Sequence, residues 1–381
     1  MILTEEHKLI RDTVRDFAER VIKPVARELD EKEEFSEEIT EQMGELGFFG
    51  MCLPEKYGGQ NLDTLSYIIA VEELARVDGS QAATLAAHNS LGILPIFEFG
   101  TDEQKEKYLP GLCTGKELWS FGLTEPEAGS DSRGTKTTAR FENGNWVING
   151  SKTFITNGAV EISSGSTIQA VSGKHDGKKE FTTFLVEKDT PGFTRKSMHG
   201  KLMWRASDTS ELFFDNCTVP DENRLGERGM GSRIMLRTLD VGRLSIAAMG
   251  LGLARGAYEM AMQYGKERKQ FGQPVIRFQV NTFKVADMAL KIDLARNLLY
   301  NACIMKERGE DIRKESAMAK LYCSEIAGEV ADEAVQIHGG YGLMKDYDIE
   351  RFYRDHRLLR IGEGTSEIMR LIIAREIGVL E

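Results

Sequence analysis

The sequence has few cysteines, and they are not spaced to form a shared site. They are far apart, and no CxxC pattern joins any two of Cys52, Cys113, Cys217, Cys303 and Cys323. Zinc sites and disulfide frameworks usually bring cysteines together in close pairs. We therefore expect a reduced, cytoplasmic protein with neither a zinc site nor a disulfide framework.

Histidine patterns typical of metal enzymes and long apolar runs are also missing. The six histidines form no HExxH and no Glu-x-x-His pattern, which argues against a zinc peptidase and a di-iron bundle. The mean hydropathy is −0.33, and no apolar run approaches the roughly 20 residues that cross a membrane. Residues 1–6 lack the basic flank and apolar core of a signal peptide and are too acidic for a mitochondrial presequence.

Positive charge is in deficit. Lys and Arg number 49 against 60 Asp and Glu, so the formal net charge is −11. Such a chain is a poor candidate for binding nucleic acid, although a local basic pocket could still hold a phosphorylated ligand. Its 381 residues suffice for two or three domains with substantial cores.

The spacing of apolar residues divides the chain into three parts. Residues 1–117 are predicted to be helical, with Thr4 as an N-cap, an apolar stripe from Ile10 to Val21, and further helices at 36–46, at 65–77 and after Thr101. Residues 118–228 change to a β pattern, with turn signals at Asn143-Gly144 and Asn149-Gly150 and strands near 146–148, 181–186 and 211–214. From 229 to 381 the helical spacing returns, with a break at Gly309.

This order predicts a mainly α fold with an inserted β domain. A Rossmann or barrel enzyme is disfavoured, because its strands and helices should alternate. Residues 250–256 have a GxGxxxG spacing that resembles the fingerprint of a dinucleotide-binding site. No strand precedes it, so close packing between helices explains these glycines better.

Two segments of the β region could contact a flat, phosphorylated ligand. Residues 121–131 present backbone N–H groups and the hydroxyls of Thr124 and Ser130, which suit a flavin edge or a phosphate. Phe154 and Thr156 lie two residues apart, so they could stack on and hydrogen-bond a heteroaromatic ring. An ordinary surface turn and a core phenylalanine are the structural alternatives.

Two segments of the helical region have similar potential. Arg268 stands near Phe271 and a Gly-Gln-Pro turn, and its planar guanidinium matches phosphate oxygens. An arginine facing a helix C-terminus is the alternative. Residues 336–342 are rich in glycine, so backbone can approach a ligand closely there. His338 within them is more often structural than catalytic.

Glu363 is the strongest candidate for chemistry. It is flanked by Gly362 and Gly364 and precedes a helical segment at residues 367–375. A carboxylate beside a helix N-terminus suits proton abstraction next to a carbonyl. A glutamate that merely complements the helix dipole is the alternative.

Taken together, these motifs resemble the acyl-CoA dehydrogenase family, nearest to its short-chain and medium-chain members. The motifs occur in the family's order at residues 123–131, 154–156, 268–272 with Gln279, 336–340 and 363–367, and the match runs from Thr4 to about Ile377. The resemblance implies an N-terminal helical domain (1–117), a central β-barrel-like domain (118–228) and a C-terminal four-helix bundle (229–381). FAD would lie between the last two, in a homotetramer built as a dimer of dimers.

The resemblance also implies roles for individual residues. Glu363 would be the catalytic base, and Ser130, Asp240, Arg243 and Gly364 would contact the acyl-CoA. Arg268 and Gln279 would come from one subunit, and residues 336–340 from its partner. No metal is implied. The residues implied to contact FAD are Phe121, Leu123, Thr124, Gly129, Ser130, Phe154, Ile155, Thr156, Arg268, Phe271, Gln279, Gln336, Ile337, Gly339, Gly340, Thr365 and Glu367.

The implied reaction is the α,β-dehydrogenation of an acyl-CoA thioester to the 2-enoyl-CoA. Glu363 would take the α-proton, the β-hydrogen would leave as hydride to flavin N5, and an electron-transferring flavoprotein would accept the electrons. Gly242 stands where some members carry the base, so Glu363 has no rival. Ala82 replaces the arginine of glutaryl-type members. Gly362 replaces a common tyrosine, which favours a short acyl group with room for a branch or ring.

Three alternatives stay open at this point. An oxygen-using acyl-CoA oxidase is disfavoured, because such relatives usually carry a further C-terminal domain. A non-catalytic scaffold is disfavoured by the intact base and cofactor motifs. The direction of flux is undetermined, because some relatives act as enoyl-CoA reductases.

Overall fold

The first part of the chain is helical, as the apolar spacing predicts. The computed structural model describes residues 3–380; Met1, Ile2 and Glu381, which the predicted domain limits include, lie outside the described residues. Thr4 caps the first helix, since its Oγ1 accepts a hydrogen bond from the His7 N–H at 3.2 Å. The helices are α1 (Glu5–Phe17), α2 (Ala26–Lys32), α3 (Glu37–Glu45), α4 (Thr64–Ala75), α5 (Gly79–Ala87), α6 (Leu94–Phe99) and α7 (Asp102–Leu112).

A mixed sheet follows the helices. Its strand order is β6-β7-β3-β2-β4-β5-β8, and β1 pairs in parallel with β4. The bounds are β1 (Leu118–Gly122), β2 (Thr138–Glu142), β3 (Asn145–Thr156), β4 (Ser163–His175), β5 (Lys178–Glu187), β6 (Phe193–Ser197), β7 (Thr209–Pro220) and β8 (Arg224–Leu225).

Of the two predicted turns in this region, one is confirmed and one is wrong. Asn143-Gly144 joins β2 to β3 as a hairpin. Asn149-Gly150 lies inside β3, where the pairing register with β7 shifts between Ile148 and Gly150. Gly150 has a φ of +145°, and a Cβ there would lie 2.5 Å from Thr137 Oγ1. The glycine therefore serves a bulge with a close neighbour, which local sequence does not distinguish from a turn.

The last part of the chain is again helical, and its longest helices pack as a bundle. Gly309 and Gly339, both with positive φ, follow the ends of α9 and α10. The helices are α8 (Gly231–Glu267), α9 (Gln279–Glu307), α10 (Arg313–His338), α11 (Ile349–Asp355) and α12 (Ser366–Glu376). Helix α10 contacts α8, α9 and α12. The predicted fold class is confirmed, while the exact limits at 117/118 and 228/229 stay a prediction.

Glycines allow α8 to pack against its neighbours at short distance. A Cβ at Gly250 would lie 2.7 Å from the Cys323 carbonyl oxygen of α10, and one at Gly252 would lie 2.3 Å from the Glu72 carbonyl oxygen of α4. Helix packing, rather than dinucleotide binding, therefore accounts for these glycines. Among residues 3–380, no helix combines the length and apolarity that crossing a membrane requires.

Candidate active site

Glu363 lies in a strained turn immediately before α12. Its φ is +51° and that of Gly364 is +96°, so two consecutive residues occupy left-handed backbone. Such a conformation is uncommon for a residue other than glycine, and it is concentrated at functional sites. Thr365 then caps α12, because its Oγ1 accepts a hydrogen bond from the Ile368 N–H at 3.2 Å. The cap and the strained turn together fix where the Glu363 side chain begins.

One oxygen of the Glu363 carboxylate is buried without a hydrogen-bond partner. Its Oε2 atom has almost no accessible surface and bonds to none of the described residues, although the residue as a whole is partly exposed. Burial raises the pKa of Glu363 to about 7, against the opposing charges of Lys320 and Arg243. A carboxylate that titrates near neutral pH can accept a proton from a substrate and later release it.

Helix α8 approaches this carboxylate through a glycine. A Cβ at Gly242 would lie 2.3 Å from Glu363 Oε2 and 3.2 Å from Leu91 Cδ2, so any larger residue would displace the carboxylate. One residue further on, buried Arg243 donates a hydrogen bond to Asp240. Burial raises the pKa of Asp240, with Arg243 opposing the rise. The predicted pair Asp240 and Arg243 is therefore brought to the same site as Glu363.

Lys320 is a site neighbour that sequence reasoning missed. It belongs to α10, is fully buried, and its Nζ donates a hydrogen bond to the Gly364 carbonyl oxygen at 2.6 Å. The only local signal is a lysine within the small, apolar run Ala317-Met318-Ala319. Its partner lies 44 residues away, so spacing alone does not reveal the contact.

The β region contributes an exposed aromatic ring. Phe154 has a φ of +59°, lies where the β3–β7 register shifts between Lys152 and Ile155, and is 66% exposed. A ring held on strained backbone at the surface is available to stack on a ligand. Thr156 is partly exposed, whereas the Ile155 side chain lies in the core of the sheet. Contact by Ile155 with a ligand would therefore use its backbone.

The segment 123–131 is braced against β3 by a buried ion pair. Lys152 Nζ donates to Glu125 Oε1 at 2.7 Å and also reaches the Leu123 carbonyl oxygen at 3.3 Å. The Thr153 N–H donates to the Thr124 carbonyl oxygen at 2.9 Å. These bonds fix a loop whose outer residues include Gly129 and Ser130, both exposed, while Phe121 is buried in β1.

A cleft of about 540 Å³ lies at the ends of α8 and α10, and several residues predicted to contact FAD line it. It is lined by Arg268 together with Tyr264, Ile337, Gly339 and Gly340, among others. The Arg268 guanidinium lies 5.8 Å from the centre of the Tyr341 ring, which is also part of the lining. A Cβ at Gly339 or Gly340 would meet no atom within 4 Å, so the backbone there is open to a ligand.

The expectation that Arg268 and residues 336–340 approach one ligand from opposite subunits stays a prediction, because a single chain does not test it. Both segments line this cleft within one chain, because α8 and α10 pack side by side and end near each other. Nearby Phe271 is 93% exposed, and Gln279 and Gln336 are exposed as well. His338 stacks on Tyr264 and bonds the Ala334 carbonyl oxygen, which agrees with a structural role.

These features define a class of protein. A buried carboxylate with a raised pKa stands in one site, and an arginine and open glycines suited to phosphate stand in a second cleft. Such a carboxylate and such a cleft have the chemistry that an enzyme needs in order to remove a proton from a substrate and to bind an extended phosphorylated ligand.

The chain belongs to the acyl-CoA dehydrogenase family. Models of the family's N-terminal, middle and C-terminal domains match residues 4–116, 120–217 and 229–378. Probable acyl-CoA dehydrogenase YngJ of Bacillus subtilis is 46% identical over 376 residues, which cover 98% of each chain. The short-chain-specific acyl-CoA dehydrogenase of Clostridium acetobutylicum is 45% identical over 375 residues, again 98% of each chain.

Further relatives extend the comparison to complexes and structures. Subunit CarC of the caffeyl-CoA reductase-Etf complex of Acetobacterium woodii is 41% identical over 98% of each chain. The butyryl-CoA dehydrogenase structure from Megasphaera elsdenii superposes with a TM-score of 0.96, 41% identity and 99% coverage of each chain. A Bacillus anthracis acyl-CoA dehydrogenase complexed with FAD gives a TM-score of 0.93 and 38% identity, over 98% of this chain and 66% of that one.

Proposed function

We propose that this protein is an FAD-dependent acyl-CoA dehydrogenase in which Glu363 removes the α-proton of a short acyl thioester. The observation that carries the proposal is the Glu363 carboxylate, buried, unpartnered and with a pKa raised to about 7. An exposed or ion-paired glutamate would stay ionised well below neutral pH and would be a weak base. The family supplies the class of reaction, and this carboxylate supplies the group that starts it.

The described residues fit FAD as the cofactor. Exposed Phe154 offers a stacking surface, and the braced segment 123–131 offers the backbone of Leu123, Thr124 and Gly129 with the Ser130 hydroxyl. Arg268, with Gly339 and Gly340, would hold the diphosphate and adenosine part. Thr365 and Glu367 would add contacts beside the base. Bound FAD supplies the acceptor for the hydride that leaves the β-carbon.

The chain's own residues account for the proton transfer. Glu363 would take the α-proton, and its backbone N–H is the donor that the family resemblance implies for the thioester oxygen. A donor of this kind is typically worth about 2.7–4 kcal/mol in the transition state. Asp240, Arg243, Ser130 and Gly364 would hold the acyl-CoA, and a bound thioester would further exclude water from the carboxylate.

Replacing Glu363 with Gln tests the role of the base. Loss of a general base typically costs about 10²–10⁴-fold in rate, so we expect anaerobic bleaching of the yellow protein by butyryl-CoA to slow by about 10³-fold. The matched control is Glu310→Gln, an exposed glutamate between α9 and α10. Turnover of Glu363→Gln at the native rate, with cofactor content unchanged, would contradict the proposal.

The substrate is proposed to be a short acyl group with room for a branch or ring. Gly362 has no side chain next to the base, and a Cβ there would lie 3.3 Å from Leu358 Cδ2, so Leu358 would have to shift slightly to admit a larger residue. The C. acetobutylicum relative is described as short-chain specific. Rates with butyryl-CoA and cyclohexanecarbonyl-CoA, in native protein and Gly362→Tyr, test the space. We expect Gly362→Tyr to lower the rate with cyclohexanecarbonyl-CoA about tenfold more than the rate with butyryl-CoA.

Electron transfer is proposed to use an electron-transferring flavoprotein. Support comes from CarC, a relative that belongs to a reductase-Etf complex. The same relative keeps the direction of flux open, because its complex is described as a reductase. Reduced protein should reoxidise rapidly with an electron-transferring flavoprotein and slowly in air. Rapid reoxidation by air alone would favour an acyl-CoA oxidase instead.

The assembly is proposed to be a homotetramer, as the family resemblance implies. Helix α9 presents Phe283, Leu290 and Leu294 on one exposed face, each more than half exposed in the single chain. An apolar face of this kind on an acidic protein indicates a contact with another chain. Light scattering on the purified protein measures the assembly, and a monomer at micromolar concentration would contradict it.

A further inference from the structure

Burying the Lys320 side chain at this position costs folding free energy. Its side chain is fully buried within α10, and of its three ammonium donors one is used, toward the Gly364 carbonyl oxygen at 2.6 Å. In the described part of the chain it has no ion-pair partner within the usual distance. Lysine is almost never fully buried unless it is paired, so packing alone would favour an apolar residue here.

The charges around Lys320 converge on the Glu363 site. Burial lowers the pKa of Lys320 to about 8, while the charges of Glu363, Glu325 and Glu367 favour its ammonium form and Arg243 disfavours it. Glu325 is itself bonded to Ser366 and paired with Arg360. Glu363 is the carboxylate with the largest influence on Lys320, and the influence is mutual, because the ammonium opposes the rise of the Glu363 pKa.

The remaining neighbours of Glu363 contribute less positive charge than Lys320 does. On α8, Arg243 also opposes the rise in pKa, but its charge is shared with Asp240, to which it donates a hydrogen bond. On α4, buried Tyr67 donates its hydroxyl hydrogen to the Ala86 carbonyl oxygen and is neutral at physiological pH. Leu91 is apolar. Lys320 is therefore the nearby cation that no carboxylate neutralises directly.

We propose that Lys320 is a positioning residue for the Glu363 base, which it serves through the Gly364 carbonyl and through its uncompensated charge. The hydrogen bond holds residues 363 and 364 in left-handed backbone, which directs the carboxylate toward Gly242. The charge keeps the carboxylate ionised at a pH where burial alone would protonate it. The inference rests on the proposed function, since it assigns Lys320 to the same base.

Three variants separate the two contributions. Lys320→Met removes both the bond and the charge, Lys320→Gln keeps a polar side chain without charge, and Lys320→Arg keeps the charge. We expect the neutral variants to raise the acid limb of the kcat/KM profile by about one pH unit, because the Lys320 charge opposes the rise in the Glu363 pKa and a neighbouring opposite charge typically lowers a carboxyl pKa by about 1–3 units. Lys320→Arg should leave the limb in place and lower kcat through misplacement.

A second measurement follows the carboxylate directly and does not depend on turnover. The infrared band of a protonated buried carboxyl group is followed against pH, and Glu363→Gln identifies which band belongs to Glu363. The pH midpoint of the Glu363 band should rise in both neutral variants and should be unchanged in Lys320→Arg. The matched control is Lys291→Met, a partly exposed lysine of α9 that pairs with Glu329 of α10 at 2.6 Å; this variant should leave the Glu363 midpoint unchanged.

The outcomes distinguish this inference from the function on which it depends. If Glu363→Gln is inactive but the Glu363 midpoint is the same in native protein and in either neutral variant, Lys320 is merely structural and the inference is overturned. A shift in Lys320→Arg as large as in Lys320→Met would also overturn it. An active Glu363→Gln would instead contradict the proposed function.

Discussion

Two stretches of the same helix, α8, serve opposite purposes. Around Gly242 the helix lies against the unpartnered carboxylate of Glu363. About three and a half turns further on, Arg255 donates hydrogen bonds to two buried glutamates of α4, Glu72 at 2.6 Å and Glu73 at 2.8 Å. The helix is fully buried around Gly242 and largely buried around Arg255, so what differs most is how the neighbouring carboxylates are compensated.

The pKa values record this difference. Burial pushes up the pKa of both Glu73 and Glu363. For Glu73, the hydrogen bonds and charges of Arg15 and Arg255 outweigh burial and bring the pKa below its ordinary value. For Glu363, burial wins and the pKa rises to about 7. A fully paired buried carboxylate fastens helices together, whereas an incompletely paired one is held ready to take a proton.

The largest expected loss of stability comes from breaking the buried ion pairs around Glu73. Glu73→Gln removes the charge that Arg15, Arg76 and Arg255 share, and disrupting a buried ion pair costs about 3–5 kcal/mol. We expect chemical denaturation at neutral pH to show a loss of unfolding free energy near the lower end of this range, because Glu72 remains as a partner of Arg255. Activity per bound cofactor should change less than about twofold, since Glu73 touches no proposed site residue.

Glu363→Gln is the matched comparison for stability. Because it replaces a buried, unpaired charge with a neutral side chain, its unfolding free energy at neutral pH should equal or exceed that of the native protein. The contrast between the two stretches would fail if Glu363→Gln were as destabilised as Glu73→Gln.

The pH dependence of stability sharpens the contrast. An unfolded glutamate titrates near pH 4.5 and folded Glu363 near 7, so in this window the folded chain holds a proton that the unfolded chain has released. The contribution of Glu363 to the unfolding free energy therefore falls as pH rises from 4.5 to 7, by at most about 3 kcal/mol. Above pH 7 it stays at its lower level.

Denaturation of native protein and Glu363→Gln across this range measures the effect. The stability of the variant relative to native protein should increase with pH up to about 7 and then level off. A relative stability that is independent of pH would show that the folded Glu363 titrates like an exposed glutamate.

The glycines of α8 form a third test. Gly252→Ala places a Cβ 2.3 Å from the backbone oxygen of Glu72, which cannot move away cheaply, so we expect a loss of about 1–3 kcal/mol in unfolding free energy. Gly242→Ala places a Cβ at the same distance from the end of the Glu363 side chain, which can rotate. Its cost should appear in kcat, about 10²-fold for a displacement near 1 Å, with little change in stability. Equal losses of stability in the two variants would contradict this division.

Much of the fold could be predicted because its signals are local. The change of periodicity near Leu118 and Gly231, and the caps Thr4 and Thr101, are properties of short windows. Helix α5 was not predicted, because nearly every residue from Gly79 to Ala87 is buried and the helix has no polar face. The Asn149-Gly150 bulge depends on the neighbouring Thr137, which lies outside any local window.

The candidate site divides in the same way. Glu363 and Phe154 stand in short motifs, and both prove to lie on left-handed backbone. The family resemblance singles out Gly242, but its contact with the Glu363 carboxylate, like the contact of Lys320 with Gly364, appears only when α8 and α10 close around the turn before α12. Their partners are more than forty residues away, so no local window contains both members of either contact. Local sequence thus predicts the proposed base, while the residues packed around it required the tertiary structure.

The smallest expected effect compares two helix caps, one in each environment. Thr365 caps α12 beside Glu363, and Thr101 caps α7 in the N-terminal helices, where Gln104 completes a capping box. Replacing either threonine with Ala should cost about 1 kcal/mol of stability. Only Thr365→Ala should also slow turnover, by about two- to tenfold, because a frayed first turn loosens the strained backbone of Glu363 and Gly364 and about 1.4 kcal/mol is tenfold in rate. Thr365→Ser keeps the hydroxyl and should restore both properties. If Thr101→Ala slowed the reaction as much, with cofactor content equal in all variants, the turn before α12 would have no special link to the base.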